Sequence, residues 1–305
     1  MPELPDILLY VEALAERLVG QPLQAVHVRS PAVLRTYEPK LEEAHGRHFT
    51  GVSRIGKRLV LALEGDVHLV VHLMVGGRFH WKKAGVKAAG RNDLAAFAMA
   101  HGTLMLTEAA KQKRAQLHLV RTDGLTAFQR GGVDPLTCDL ETFRAVLVRE
   151  NHTLKRTLTD PRLFDGIGNA YSDEILHAAG LSPLTWTTRL TPEQTQRLHV
   201  ATRDTLARWI ALLAADRKPG TFPEKVTAFR PEMAAHGRYG LPCPACATPI
   251  QRIRYASNET NYCPTCQTGG KLLADRALSR LLGGDWPTSL EELEELKERQ
   301  RGTVS

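Results

Sequence analysis

The sequence predicts an α+β protein of two domains: an amino-terminal helix with a β-sandwich or barrel, then a mostly helical domain carrying a small cysteine module. Three observations lead there. An amphipathic helical period begins almost at Met1, short β-type runs fill residues 22 to about 130, and helix-start signals followed by a cysteine cluster replace them afterwards.

The first helix is read over Leu4 to Val19, where Ile7, Leu8, Val11, Leu14 and Leu18 recur on one face, with Pro2 expected in its first turn. The runs RLVLALE, VHLVVHLMV, TLMLT and AQLHLV, separated by Gly, Asp and charged turns, read as strands. Near residue 135 the pattern turns helical. Asp139 precedes LETFRAVLVREN, and Thr191, Pro192 and Gln194 supply the N-cap, first position and capping-box partner of a long helix. A glutamate-rich helical tail, SLEELEELKERQ, closes the chain.

At 305 residues and 43% apolar content the chain is long enough for two cores, and wholesale disorder is excluded. No run of about 18 apolar residues offers a membrane span, and acidic Glu3 and Asp6 beside Pro2 are unlike the basic start of a signal peptide, so a cytosolic protein with no leader is expected. Removal of Met1 before the small Pro2 would free a secondary amine. A net charge of +7 favours a polyanionic partner.

The cysteines give the strongest single signal. CPAC, sixteen residues, then CPTC places Cys243, Cys246, Cys263 and Cys266 in two thiolate pairs, a spacing for one tetrahedral structural zinc holding a hairpin. Within that hairpin Arg252 and Arg254 read equally as phosphate contacts or as solvated charges. In LFDGIGNAYSDEIL, Gly166 and Gly168 permit a tight turn before a helix, leaving N–H groups and Asn169 to grip a phosphate, or serving as turn and cap alone. Lys155 adds a cation for the same phosphate or for solvent, and Lys57, beside Gly56 at a strand start, gains meaning only in combination.

MPELPD, the lysine of RIGKRL, GIGNAYSDEIL and HGRYGLPC leading into CPAC and CPTCQ occur here in one order. Together they resemble the formamidopyrimidine-DNA glycosylase and endonuclease VIII family, from Met1 to about Gln267. The resemblance implies a catalytic β-sandwich domain over 1–134, a helix-two-turn-helix DNA-binding domain over 135–235, a zinc-finger hairpin over 236–270 and a helical tail over 271–305. It implies a cytoplasmic, nucleoid-associated monomer acting on damaged DNA. In such an enzyme Pro2 attacks C1′, Glu3 moves protons, Lys57 contacts the phosphate beside the lesion, and Lys155 and Asn169 hold backbone phosphate. An amine at a helix N-terminus meets the positive end of the macrodipole, which favours its neutral, nucleophilic form.

Three departures accompany the resemblance. The family's hairpin Arg, five residues before the third cysteine, is replaced by Asn258, which places δ-elimination in question. The intercalating Met position holds Val75, with Met74 one place earlier. Where the formamidopyrimidine branch has Asp-Pro-Arg-Arg-Phe-Gly, the chain reads EAAKQKRAQ, so Lys111, Lys113 and Arg114 bring charge without an aromatic wedge. Three activities remain open on the sequence: a bifunctional DNA glycosylase and abasic-site lyase, a lyase with little glycosylase activity, and a non-catalytic binder of damaged DNA.

Overall fold

The structure, a computed structural model, describes residues 1–224, 226–227, 229–255, 258–274 and 287–302. The chain groups into two compact units: Met1–Gly132 with Leu206–Ala228, and Val133–Thr205 with Phe229–Ser305. The sequence reading drew one domain over 135–235, whereas Leu206–Ala228 packs with the first unit.

In the first unit, helix α1 (Leu4–Leu18) starts with Glu3 as N-cap, and Asp6 closes the cap by accepting the Glu3 N–H at 2.9 Å. Pro5, not Pro2, occupies the first turn, so Pro2 sits outside the helix, one residue before the cap. The helix buries Ile7, Tyr10, Ala13, Leu14 and Leu18 completely, a stripe that only a packed core can cover.

Two four-stranded antiparallel sheets follow, which settles the choice between sandwich and barrel. One has the order β2 (Phe49–Ile55), β3 (Arg58–Leu63), β4 (Val67–His72), β8 (Gln116–Arg121). The other has the order β1 (Ala25–Val28), β6 (Asp93–Met99), β7 (Gly102–Glu108), β5 (Gly77–Lys82). Leu59, Leu61, Leu69, Val71, Leu104, Leu106, Leu117 and Leu119 fill the core, joined by Leu213, Phe222 and Val226 from the Leu206–Ala228 segment. Strand β3 departs from simple alternation because its other face is covered too. Val60, Val70 and Val120 form a second small cluster beneath Leu125 and Phe128 of a 3-10 turn over Asp123–Phe128.

The second unit is helical: α2 (Leu140–Leu147), α3 (Leu154–Thr159), α4 (Asn169–Ala178) and the start of α5 (Pro192–Asp216). The caps act as read. Asp139 accepts the Thr142 N–H at 2.7 Å, and Thr191 and Gln194 exchange bonds of 2.9 and 3.2 Å. The hairpin of β9 (Gln251–Tyr255) and β10 (Asn258–Tyr262) and the short α6 (Pro264–Thr268) form the cysteine module. A further helix covers Leu290–Gly302. Among the described residues no helix is long and apolar enough to cross a membrane.

Candidate DNA-repair site

In the first unit the chain start is a built environment rather than a loose end. Pro2 is buried, Glu3 is 3% exposed and Asp6 fully buried. The terminal amine of Met1 has its pKa lowered chiefly by burial. Arg78 and Lys57 push it the same way, and Glu3 and Asp6 oppose them. These charges therefore converge on the chain terminus.

Lys57 is placed by a two-residue turn between β2 and β3, where Ile55 pairs with Arg58 and Gly56 holds φ at +62°. A left-handed first central residue suits a hairpin whose strands keep their natural twist, and glycine adopts it without a Cβ clash. His72, directly across from Arg58 on β4, marks how positive this region is. Burial first, and then Arg58, Lys57, His118 and Arg130, push its pKa down to about 4. Burial is the larger part of that shift; the cations Arg58, Lys57 and Arg130 add to it and are the part that would favour an anionic ligand.

The turn after β4 carries the two candidate wedge residues. Met74 has φ of +53°, a strained value for a side chain with a Cβ, and Val75 at the tip is 63% exposed. The turn is tight because Gly77 passes the Leu73 carbonyl, where a Cβ would lie 2.2 Å from its oxygen. Arg78 braces the turn by donating to the carbonyls of Val75 and Gly77 at 3.1 and 2.6 Å.

The EAAKQKRAQ stretch is organised by an acid that sequence reasoning passed over. Glu108, 1% exposed, accepts the N–H groups of Arg114 and Ala115 at 2.7 and 3.0 Å. Lys113 turns back to the Glu108 carbonyl, while Lys111 is exposed and Arg114 reaches Gln112.

The second unit holds a separate cluster. Gly166 has φ of +83° and Gly168 caps α4, as a tight turn before a helix requires. Asn169 and Lys155 are each positioned by a protein partner. The Asn169 amide donates to the Glu259 carbonyl at 2.8 Å, tying α4 to the hairpin. The Lys155 ammonium lies 2.5 Å from Asp173 and 2.6 Å from the Asn169 carbonyl, with its side chain 12% exposed. Next to Asp173, Glu174 accepts three backbone N–H groups, from Ala234, Ala235 and His236. The signal for both acids is their place on a helix that is buried throughout from Ala170 to Leu176. A carboxylate there must be paired.

The four cysteine sulfurs lie within 4.8 Å of one another, with Cys243 to Cys266 at 4.0 Å and Cys246 to Cys263 at 3.4 Å. Zinc–sulfur bonds of about 2.3 Å give tetrahedral edges of about 3.8 Å, so the set fits one closed zinc site. His177 of α4 reaches the Cys243 sulfur at 3.2 Å, a typical outer support. On the hairpin, Arg252 lies over the Tyr239 ring at 4.0 Å from its centre and pairs with Glu259 at 3.4 Å. Arg254 and Asn258 are exposed, Asn258 opening β10 opposite Tyr255.

Family models match along the chain in this order: the formamidopyrimidine-DNA glycosylase N-terminal domain over residues 1–125, its H2TH domain over 132–217, and a zinc finger found in FPG and IleRS over 240–269. Formamidopyrimidine-DNA glycosylase of Thermus thermophilus is 34% identical over 281 residues, covering 88% of this chain and all of that one. The chain belongs to the formamidopyrimidine-DNA glycosylase family. The Variovorax paradoxus enzyme of the same name is 31% identical over 279 residues, with 88% and 100% covered. A Lactococcus lactis Fpg bound to DNA containing an abasic site superposes with a TM-score of 0.77 at 26% identity, covering 87% of this chain and 99% of that one. A mutant of that protein bound to Fapy-dG DNA gives 0.78 at 27%, with 88% and 100% covered. Family membership makes this protein a DNA-repair glycosylase and abasic-site lyase with one structural zinc in its cysteine module.

Proposed function

We propose that this glycosylase acts through the amine of Pro2, freed when Met1 is removed. The observation that carries the reading is the setting of Pro2, itself buried and beside Glu3 and Asp6, at a chain terminus where Glu3, Asp6, Arg78 and Lys57 all act on the Met1 amine one residue away. Burial disfavours an ammonium there, so a larger fraction of the amine holds a free lone pair. Its nitrogen attacks C1′ of the damaged nucleotide, the glycosidic bond from C1′ to the base breaks, and the base leaves with a proton. The Pro2 nitrogen loses its own proton, its lone pair then expels O4′ from C1′ as O4′ takes up a proton, and the ring-opened sugar is an iminium on Pro2. Loss of a C2′ proton expels the 3′ phosphate, and water releases the unsaturated aldehyde and regenerates the amine. Glu3, 3% exposed and one residue away, is the group to donate and accept these protons, and Lys57 is the phosphate cation. Val75 and Met74 serve as the wedge, and Lys111 and Arg114 as strand contacts. In the second unit Lys155, Asn169, Arg252, Arg254 and Asn258 form the backbone-binding set.

A charge of +7 and a DNA ligand support action in the cytoplasm, at the nucleoid, and we infer action as a monomer. Neither alternative, a lyase with little glycosylase activity or a non-catalytic binder, is favoured. The test is borohydride trapping on abasic-site DNA followed by peptide mass mapping. The adduct is expected on the N-terminal peptide and lost in Pro2→Gly; an adduct on an internal lysine overturns the assignment.

A further inference from the structure

Glu108, the last residue of β7, holds two loops of the first unit at once. Its carboxylate is buried, and one oxygen, Oε2, accepts the N–H groups of Arg114 and Ala115 at 2.7 and 3.0 Å. Its carbonyl accepts the Lys113 ammonium, which also reaches the Asn92 side chain at 3.3 Å, and its N–H donates to the Asn92 carbonyl at 2.8 Å. The stretch from Ala109 to Ala115 is thereby closed into a loop pinned at both ends, with Lys111 and Arg114 exposed on it. The other carboxylate oxygen faces the turn after β4. Gly77 pairs with Glu108 across β5 and β7, and a Cβ on the neighbouring Gly76 would lie 3.1 Å from Glu108 Cγ, 3.2 Å from its Oε1 and 3.3 Å from the Ala110 Cβ. Glycine at 76 lets the turn close onto this acid. The turn that carries Met74 and Val75 and the loop that carries Lys111 and Arg114 therefore rest on one side chain.

We propose that Glu108 is a positioning residue for opening the duplex: it joins the turn 73–77 and the loop 109–115 into one rigid piece, so that Val75 enters the base stack at a fixed distance from the cations that hold the strand. The inference rests on the reading that Val75 is the wedge and that Lys111 and Arg114 are strand contacts. Rigidity matters because the wedge is small. A valine covers less of the gap left by an everted nucleotide than a methionine or an aromatic ring, so it offsets the lost stacking only if its methyl groups stay against the neighbouring bases. A tip free to move by about an ångström forfeits much of that contact, since dispersion falls steeply with distance. Reach, and not charge, is the property of Glu108 at work. Oε2 meets two main-chain N–H groups while Oε1 stays against Gly76. A carboxylate one methylene shorter cannot span the two loops, whereas an amide of the same length keeps an oxygen for both N–H groups.

Single-turnover nicking at an abasic site tests this on the full zinc-loaded chain at saturating protein, with one strand presented either in a duplex or alone. Glu108→Ala and Glu108→Asp are expected to nick the duplex about 10- to 100-fold more slowly than wild type, the range set by lost stacking at one or two base steps. On the single strand, where nothing has to be unstacked, both should stay within about twofold of wild type. Glu108→Gln, with the charge gone and the reach kept, should restore the duplex rate to within about threefold. Gly76→Ala presses a Cβ on the same joint from the other loop and should reproduce the duplex-only loss. In the Glu108→Ala background it should add little, because the Cγ and Oε1 that its Cβ meets are gone. Equal losses on duplex and single strand would make Glu108 a brace of the fold alone and overturn the proposal. An active Asp variant beside an inactive Gln one, or an unchanged duplex rate in Glu108→Ala, overturns it as well. If the Ala and Asp variants fail to fold, the Gly76→Ala rates on the two substrates decide alone. A wild-type chain that nicks neither substrate counts against the DNA-repair reading instead, so the two failures are distinguishable.

Discussion

Replacing Glu174 by Ala should destabilise the second unit more than most single changes to the protein. The carboxylate is 5% exposed, and its two oxygens accept three main-chain N–H groups at 2.7 to 2.9 Å, one of them on fully buried Ala235. A buried donor left without an acceptor costs about 1–3 kcal/mol, so three stranded together set an upper range that partial entry of water lowers to about 3–5 kcal/mol. Glu174→Gln keeps the shape and one acceptor oxygen but turns an amide N–H towards one of the donors. Its expected cost is about half as large, roughly 1.5–3 kcal/mol. At roughly 2–4 °C per kcal/mol, the Ala variant should melt about 6–20 °C below wild type by calorimetry, with the Gln variant between them. A Glu174→Ala protein melting within about 2 °C of wild type would refute the reasoning, since the three bonds would then add nothing that water does not replace.

Arg78→Gln should move the rising limb of borohydride trapping to higher pH. Burial first, and Arg78 with it, lowers the pKa of the Met1 amine, and the Pro2 amine exposed by removal of Met1 is expected to feel the same cation, so its loss should let that amine hold its proton to higher pH; an unchanged profile counts against Arg78 acting at the amine. Metal analysis should give one zinc per chain, and Cys263→Ser should lose the metal and DNA affinity while the melting of the first unit is retained. Asn258→Arg should raise the proportion of δ-elimination product on a 5′-labelled abasic duplex, because a planar guanidinium grips the departing phosphate where a neutral amide cannot. Glu259→Gln should do so more weakly, by releasing Arg252 from its pairing at 3.4 Å; early δ product from the wild-type protein would show that another cation already fills the role.

The sequence by itself determined the features whose partners lie close along the chain. The helix starts at Asp139 and Thr191 were legible because a cap bonds a backbone group three residues away. The zinc site was legible because two short turns supply all four ligands, within 24 residues. Even the position of Pro2 beside a helix start was readable, although not that Pro5 takes the first turn and leaves Pro2 outside. Only the tertiary structure decided matters of long-range pairing. Strand β1 pairs with β6, some seventy residues on, and not with β2, and this non-local choice makes a sandwich of runs that would also suit a barrel. Asp173 and Glu174 are recognisable in the sequence as acids on an apolar helix, but their partners, Lys155, His236 and the backbone at 234–236, are 18 to 63 residues away. Local pattern states that a buried carboxylate needs a cation or N–H groups; which ones it finds is fixed by packing. For the same reason the bonds that position Lys155 and Asn169, to Asp173 and the Glu259 carbonyl, were not legible in the sequence.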